Sequence, residues 1–244
     1  MDQFNKLNTG YKDFIAIDPT RETHYQNVLP KLRERQAEVR RRVLDAGCGD
    51  GRLARILASD PYNMQVTGFD SSPNFIKLAQ QEEDQHPLGI RYEVASADQF
   101  KTTEHFDDAV SVMVLPYSPD AAYLKHFFRA ACDPLEEGGR FMSVVFNPDF
   151  KAFNEQIGNR RFTKTEEGKV QVNFLKPGTD EVTFTSLLTQ FSRDEYEQAA
   201  REAGFKKIAW EALHPSHEAV EKLGEGYWAA FEREQPYAVL VTEK

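Results

Sequence analysis

Between Val43 and Phe146 short apolar runs alternate with segments whose apolar residues recur every three or four positions. The run RRVLDAG reads as a strand, and GRLARILAS as a helix that gathers Leu53, Ile56 and Leu57 on one face. MQVTGFD is a second strand, and SPNFIKLAQQEED a second helix with Pro73 suited to its first turn. IRYEVAS and DAVSVMVL follow as strands and DAAYLKHFFRAACDPL as a helix. RFMSVVFN is a fifth strand, after a turn at Gly138 and Gly139. Strands separated by helices predict parallel βαβ units in a doubly wound α/β sheet.

The pattern changes at Phe150. From there to Gln190 the chain is polar, with two strand-like pieces, KVQVNFLK and EVTFTSLLTQF, around the turn PGTD. That arrangement predicts an antiparallel hairpin. SRDEYEQAAREAGF then carries a helix signature, with Ser192 as N-cap, Glu195 three residues on and Gly204 at the far end. KKIAWEAL and YAVLVTEK bring the strands of the main sheet to seven. The expected fold is a single α/β domain over residues 1–244: a doubly wound, mostly parallel seven-stranded sheet with an inserted antiparallel hairpin and an N-terminal cap. Residues 1–42 are the cap and lead-in helix, 43–149 the cofactor-binding core, 150–190 the inserted hairpin, and 191–244 the C-terminal helix and strands. Cap and hairpin belong over the carboxyl edge of the sheet, where ligands sit in this architecture.

Composition narrows the partners. Hydrophobic residues make up 40% and charged ones 28%, ordinary for a globular chain large enough for a real core. The formal net charge of −9 opposes nucleic acid and anionic membrane. The basic run KLRERQAEVRRR, Lys31 to Arg42, reads as the solvated face of a helix feeding the first strand. The start MDQFNKLNTGYKDF is polar and has no secretory pattern, so Cys48 and Cys132 are expected reduced, in a cytoplasmic protein.

The chemistry concentrates in VLDAGCGDGRLARIL. Gly47, Gly49 and Gly51 stand between strand and helix, where backbone amides and a helix N-terminus face a polar or anionic ligand. A nucleotide P-loop ends in Gly-Lys-Ser/Thr, whereas Gly51 is followed by Arg52 and Leu53. The dinucleotide fingerprint needs glycine where Arg52 stands. Both readings fail. An acid before the turn and then G-x-G-x-G resembles the first motif of the class I S-adenosylmethionine-dependent methyltransferases.

That resemblance implies S-adenosyl-L-methionine as cofactor. The loop Gly47, Cys48, Gly49 and Gly51 would approach its methionine carboxylate, and Asp45 would support the loop or meet the ammonium through water. Asp70, followed by Ser71, would receive the ribose hydroxyls. Adenine would be read by the Ser96 hydroxyl and the Ala97 backbone or, after a shift of one or two residues, by Asp98; both alternatives stay open. FDDAVSVMVLPYS matches the fourth motif in shape and would set Met113 and Val114 beside the methyl donor.

Four further stretches look like the small-molecule methyltransferases related to the toxoflavin-pathway N-methyltransferase. They are the aromatic start FNKLNTGYKDF, NPDF after strand five, FSRDEYEQAAREAGFKKIAWE, and GEGYWAAFEREQPYAVLV. This resemblance covers nearly the whole chain and implies N-methylation of a small, flat, heterocyclic metabolite. Two departures weaken it: Phe4 stands where the group has tyrosine, and Met113 where tryptophan is expected.

Methyl transfer from a sulfonium is an in-line displacement that demands positioning and exclusion of water. A neutral ring nitrogen needs no base, whereas a hydroxyl does. Tyr11, His24 and Tyr117 are the candidates for acting on the acceptor. Phe4, Tyr11, Phe14, Tyr25, Leu115, Tyr117, Asn147 and Phe174 are the candidates for holding it. Cys48 is expected to pack within the loop and not to act as a nucleophile. His214 and His217 read as loop histidines, and Tyr227, Trp228 and Phe231 as core. No metal-ligand spacing occurs. The expected partner is a small-molecule methyl acceptor, with neither nucleic acid nor membrane, bound by a monomer or weak homodimer. Two alternatives share the fold: a small-molecule O-methyltransferase, and a cofactor-binding protein without catalysis.

Overall fold

The computed structural model describes residues 19–33, 40–176 and 178–244. Five strands run parallel: β1 (Arg42–Ala46), β2 (Gln65–Asp70), β3 (Arg91–Val94), β4 (Phe106–Val112) and β5 (Leu135–Phe146). Beyond β5, β10 (Lys207–Ala212) and β11 (Tyr237–Glu243) complete a seven-stranded sheet of order 10-11-5-4-1-2-3. β11 is antiparallel to both its neighbours. The expected mostly parallel sheet is the fold.

Strand alternation sends successive side chains to opposite layers. Val43 packs with Val28 and Leu32 of helix α1 (Pro19–Arg33) and with Leu53 and Leu57 of α2 (Arg52–Ala58). Its neighbour Leu44 packs with Leu124 and Phe128 of α4 (Ala121–Cys132) and with Tyr196 of α5 (Arg193–Ala203). Burial of each such side chain is worth roughly 1.5–3 kcal/mol. The helix starts follow the caps in the sequence. Ser72 caps α3 (Pro73–Gln85), Asp120 caps α4, and Ser192 with Glu195 forms a capping box on α5, which Gly204 ends in the left-handed region. The remaining helices are α6 (His217–Leu223) and α7 (Glu225–Glu234). Trp228 and Phe231 of α7 are core, while Tyr227 is partly buried and donates to Asn159 Oδ1 at 3.2 Å.

The insert is larger than the hairpin read from the sequence. The expected pair is present as β8 (Val170–Leu175) and β9 (Val182–Leu188), but β6 (Gln156–Ile157) and β7 (Arg160–Lys164) extend it to a four-stranded antiparallel sheet of order 6-7-8-9. The segment RRFTK looks too polar for a packed strand, yet Arg160 and Phe162 alternate inward and are both buried. The insert is fastened over the carboxyl end of β4. Thr189 N–H donates to Pro116 O at 2.7 Å, and Tyr117 Oη lies 3.0 Å from Ser186 Oγ.

Of the basic run, residues 34–39 lie outside the described residues, and the ends can be compared with the solvated helix face expected of it. Lys31 and Arg33 belong to α1, whereas Arg41 precedes β1 and Arg42 opens it. There Arg41 Nη2 donates to Asp108 Oδ2 at 2.8 Å, and Arg42 N–H to Asp107 Oδ2 at 2.7 Å. Asp108 has no solvent exposure and also receives Arg140 Nε at 3.4 Å. Removing a buried carboxylate leaves its guanidinium partners uncompensated. Asp108→Ala should therefore lower the unfolding free energy by about 3 kcal/mol or more in urea titration, and a change under 1 kcal/mol would mean that this pair carries no structural weight.

Candidate functional site

The carboxyl edge of β1 and β2 builds the loop. Phe69 O, near the end of β2, accepts the N–H of Gly47 at 2.8 Å and of Cys48 at 3.0 Å, which folds the loop back against the neighbouring strand. Gly49 N–H donates to Asp70 Oδ2 at 3.0 Å, and Ser72 N–H to Asp70 Oδ1 at 2.8 Å. Gly47 and Gly49 both have left-handed φ angles, +77° and +56°. A Cβ on Gly47 would strike the Val114 side chain at 2.6 Å, whereas one on Gly49 would meet nothing within 4 Å. Gly49 thus borders open space.

That space is a cavity of about 230 Å³, lined from below by Asp45, Gly47, Cys48, Gly49, Asp70, Ser71, Ala97, Met113 and Val114. From above it is lined by Arg21, His24 and Tyr25 of α1, by Arg160, Phe174 and Phe184 of the insert, and by Tyr117 and Tyr237. Met113 occupies a left-handed backbone position, φ +56°, as the chain leaves β4. Strain of this kind gathers at functional sites.

The ionisable groups are perturbed. Asp45 is buried, and its Oδ2 has no hydrogen-bond partner among the described residues. Burial, with Asp70 and Asp50 nearby, pushes its carboxyl up to about 7. Burial also raises Asp70, against the lowering by its two backbone donors. Burial raises the Cys48 thiol well above its ordinary range, so it stays protonated and is a poor nucleophile, as expected. His24 is 5% exposed, and its Nε2 lacks a partner among the described residues. Burial, reinforced by the Arg160 and Arg21 guanidiniums, holds it well below the usual imidazole range. It is neutral at pH 7. Burial raises Tyr117, whose hydroxyl engages Ser186, and raises Tyr25, whose hydroxyl receives Arg21 Nε at 2.8 Å. Neither phenol is poised to take a proton.

Several expected residues do not line the cavity. Gly51 packs its backbone under Tyr92, whose hydroxyl a Cβ would meet at 2.5 Å. Leu115 is fully buried in the layer of α4 and α5, because the short helical turn Leu115–Tyr117 directs it away from the cavity. Asn147 is occupied on both sides, its Nδ2 donating to Gln235 O just after α7 and its Oδ1 accepting Asp149 N–H in its own loop. Of the adenine alternatives, only Ala97 lines the cavity. Asp98 is exposed, lowered by the Ser96 hydroxyl, and Ser96 turns with it. Phe4, Tyr11 and Phe14 lie outside the described residues. Sequence reading missed Arg21, Tyr123, Phe127, Arg160, Phe184 and Tyr237. The one usable signal was alternation in RRFTK, which puts Arg160 on the buried face with Phe162.

The lower half fits S-adenosylmethionine. Gly49 leaves room against its backbone, the open Oδ2 of Asp45 suits an ammonium group, and Asp70 ends β2 as an acceptor for hydroxyls. Tyr123, whose hydroxyl accepts Ala97 N–H at 3.3 Å, and Phe127 add ring surface. Among the described residues no three His, Cys, Asp or Glu side chains converge as metal ligands, and no helix is long and apolar enough to cross a membrane.

Comparison with known proteins agrees. Residues 43–139 match the family model described as a methyltransferase domain. The chain is similar to the ubiquinone biosynthesis O-methyltransferase of Coxiella burnetii (strain RSA 331 / Henzerling II), 26% identical over 174 residues, which are 70% of this chain and 66% of that one. The match thus spans just under two thirds of the relative's length. Among solved structures it resembles an S-adenosylmethionine-dependent methyltransferase from Clostridium acetobutylicum (TM-score 0.64, 16% identity, 91% of each chain). It also resembles the S-adenosylmethionine-bound amino pentose methyltransferase CalS10 of Micromonospora echinaspora (TM-score 0.61, 18% identity, 97% of each chain).

Two outcomes follow from this geometry. Gly49→Val should fold, as read by circular dichroism, but lose S-adenosylhomocysteine binding in calorimetry, because its side chain fills the open space. Wild-type affinity would remove the loop from the binding site. For Asp45, the folded carboxyl at about 7 lies above an unfolded value of about 3.9, so the folded state keeps a proton the unfolded state has lost. Stability of the free protein should fall as pH rises from about 4 to about 7, and Asp45→Asn should remove that component of the pH profile. An identical profile in the variant would refute the assignment.

Proposed function

We infer that this chain, which carries a class I S-adenosylmethionine-dependent methyltransferase domain over residues 43–139, methylates a nitrogen of a small, flat, largely apolar acceptor. The observation that carries this reading is one continuous cavity, joining the glycine loop below to a chamber of Tyr117, Phe174, Phe184 and Tyr237 above. Aromatic walls suit a flat ring, and the resemblance to the toxoflavin-pathway group supports a heterocyclic one.

When bound, S-adenosylmethionine supplies a methyl group on a positively charged sulfur. The protein's part is to orient and to exclude water. The loop from Asp45 to Gly49 and Asp70 would hold the cofactor, with Ala97 and Tyr123 flanking the adenine. α1 and the insert roof the chamber, so the acceptor is held out of bulk solvent. Met113 and Val114 border the chamber from the end of β4. The acceptor is a small molecule, and the net charge of −9 supports neither nucleic acid nor membrane as substrate.

A second reading, methylation of a hydroxyl, is favoured by one side chain. His24 is neutral, buried and open at Nε2, the state required of a proton acceptor. The name of the Coxiella burnetii relative also favours oxygen.

A methyl-release assay over a panel of flat amines, heterocycles and phenols tests both readings, alongside calorimetry with S-adenosylhomocysteine. His24→Gln should leave affinity for S-adenosylhomocysteine unchanged. On a hydroxyl acceptor it should lower kcat by about 10²-fold or more at pH 7, and on a neutral ring nitrogen by little. Absence of S-adenosylhomocysteine binding would overturn the methyltransferase reading itself.

A further inference from the structure

His24 of α1 lines the roof of the cavity, is 5% exposed, and has no hydrogen-bond partner for Nε2 among the described residues. Its ring is held in place. It packs edge-on to Tyr237, with ring centres 4.6 Å apart and planes at 77°. The next residue of the helix, Tyr25, is fixed in turn by Arg21 Nε on its hydroxyl. A buried nitrogen left unpaired is costly, so a ligand that pairs with it recovers that free energy.

Which partner the nitrogen takes follows from its surroundings. A neutral imidazole carries a proton on one ring nitrogen and a lone pair on the other. Burial, with the Arg160 and Arg21 guanidiniums on the same cavity wall, keeps this ring neutral. The positive field of those groups favours the tautomer whose lone pair faces the cavity, because side-chain dipoles orient in the field around them. Phe174 and Phe184 add flat ring surface to the chamber and no polar group. Discrimination between flat rings of equal shape therefore needs a polar side chain, and His24 supplies one.

We propose that the acceptor carries an N–H or O–H donor on its ring edge, received by His24 Nε2, and that flat rings without such a donor are rejected. This rests on the methyltransferase reading and adds to it the hydrogen-bonding class of the substrate, whichever atom is methylated. A site built around a polar group discriminates strongly, because the analogue without the donor leaves the buried nitrogen unpaired. The class is azoles with a free N–H, lactams and phenols, and it excludes ring ethers and fully N-alkylated rings.

Indole and benzofuran test this without knowledge of the natural acceptor. They share one flat shape and differ in a single N–H. Indole must take that N–H out of water, so burial alone favours benzofuran. Each is titrated at pH 7.5, with NMR detection, into the full chain saturated with S-adenosylhomocysteine. Wild type should bind indole at least fivefold more tightly than benzofuran. His24→Phe and His24→Met should lose that preference, while both hold S-adenosylhomocysteine like wild type. If neither variant folds, the wild-type comparison decides alone. A smaller wild-type preference overturns the proposal, as does failure of both rings to bind or an unchanged preference in a folded variant. If wild type does not bind S-adenosylhomocysteine, the methyltransferase reading falls instead, which separates the two failures.

Discussion

The carboxylate of Asp70 holds the lower half of the site together. One oxygen receives the N–H of Gly49 and the other that of Ser72, so a single side chain ties the glycine loop to the start of α3. The tie is possible because β1 and β2 pair in parallel register, Ala46 opposite Phe69, which brings both loops to one edge. Backbone donors to a half-buried carboxylate are strong in this setting, and they set the loop before any ligand arrives. The open face of Gly49 and the Asp45 oxygen that has no partner among the described residues go with that arrangement.

The upper half is built differently. α1 comes from before the sheet and the four-stranded insert from after β5, and neither contains the loop's residues. They meet the cavity through side chains of mixed character: Arg21 bonded to Asp50, His24 against Tyr237, and Arg160 between Phe174 and Tyr237. The bond between Tyr117 and Ser186, with Lys169 reaching Pro119 O at 2.9 Å, anchors the insert to the loop after β4. The acceptor chamber is therefore a joint product of segments more than a hundred residues apart in sequence.

Electrostatics then divides the cavity between two ligands. Asp45, Asp50 and Asp70 gather at the loop end, where burial, with the neighbouring acids, raises the carboxyls of Asp45 and Asp70. At the other end burial, reinforced by the Arg160 and Arg21 guanidiniums, keeps His24 neutral.

The amino-acid sequence by itself determined the succession of strands and helices along the chain, the capped helices and the glycine loop. Those depend on local periodicity and on a few residue types at short spacing, as in Ser192 with Glu195, or Gly47 with Gly49. Asp45 and Asp70 were legible for the same reason, since one stands next to last in β1 and the other ends β2. Tertiary structure alone decided which side chains of the cap reach the cavity. The polarity of RRFTK disguised β7, Leu115 turned into the core, and Asn147 was taken up by the distant carbonyl of Gln235. Lys31 to Arg42 looked like a helix surface throughout, yet Arg41, just before β1, is part of an ion pair with the buried Asp108. A residue's neighbours along the chain set its local conformation, but burial and charge pairing come from segments the sequence keeps far apart.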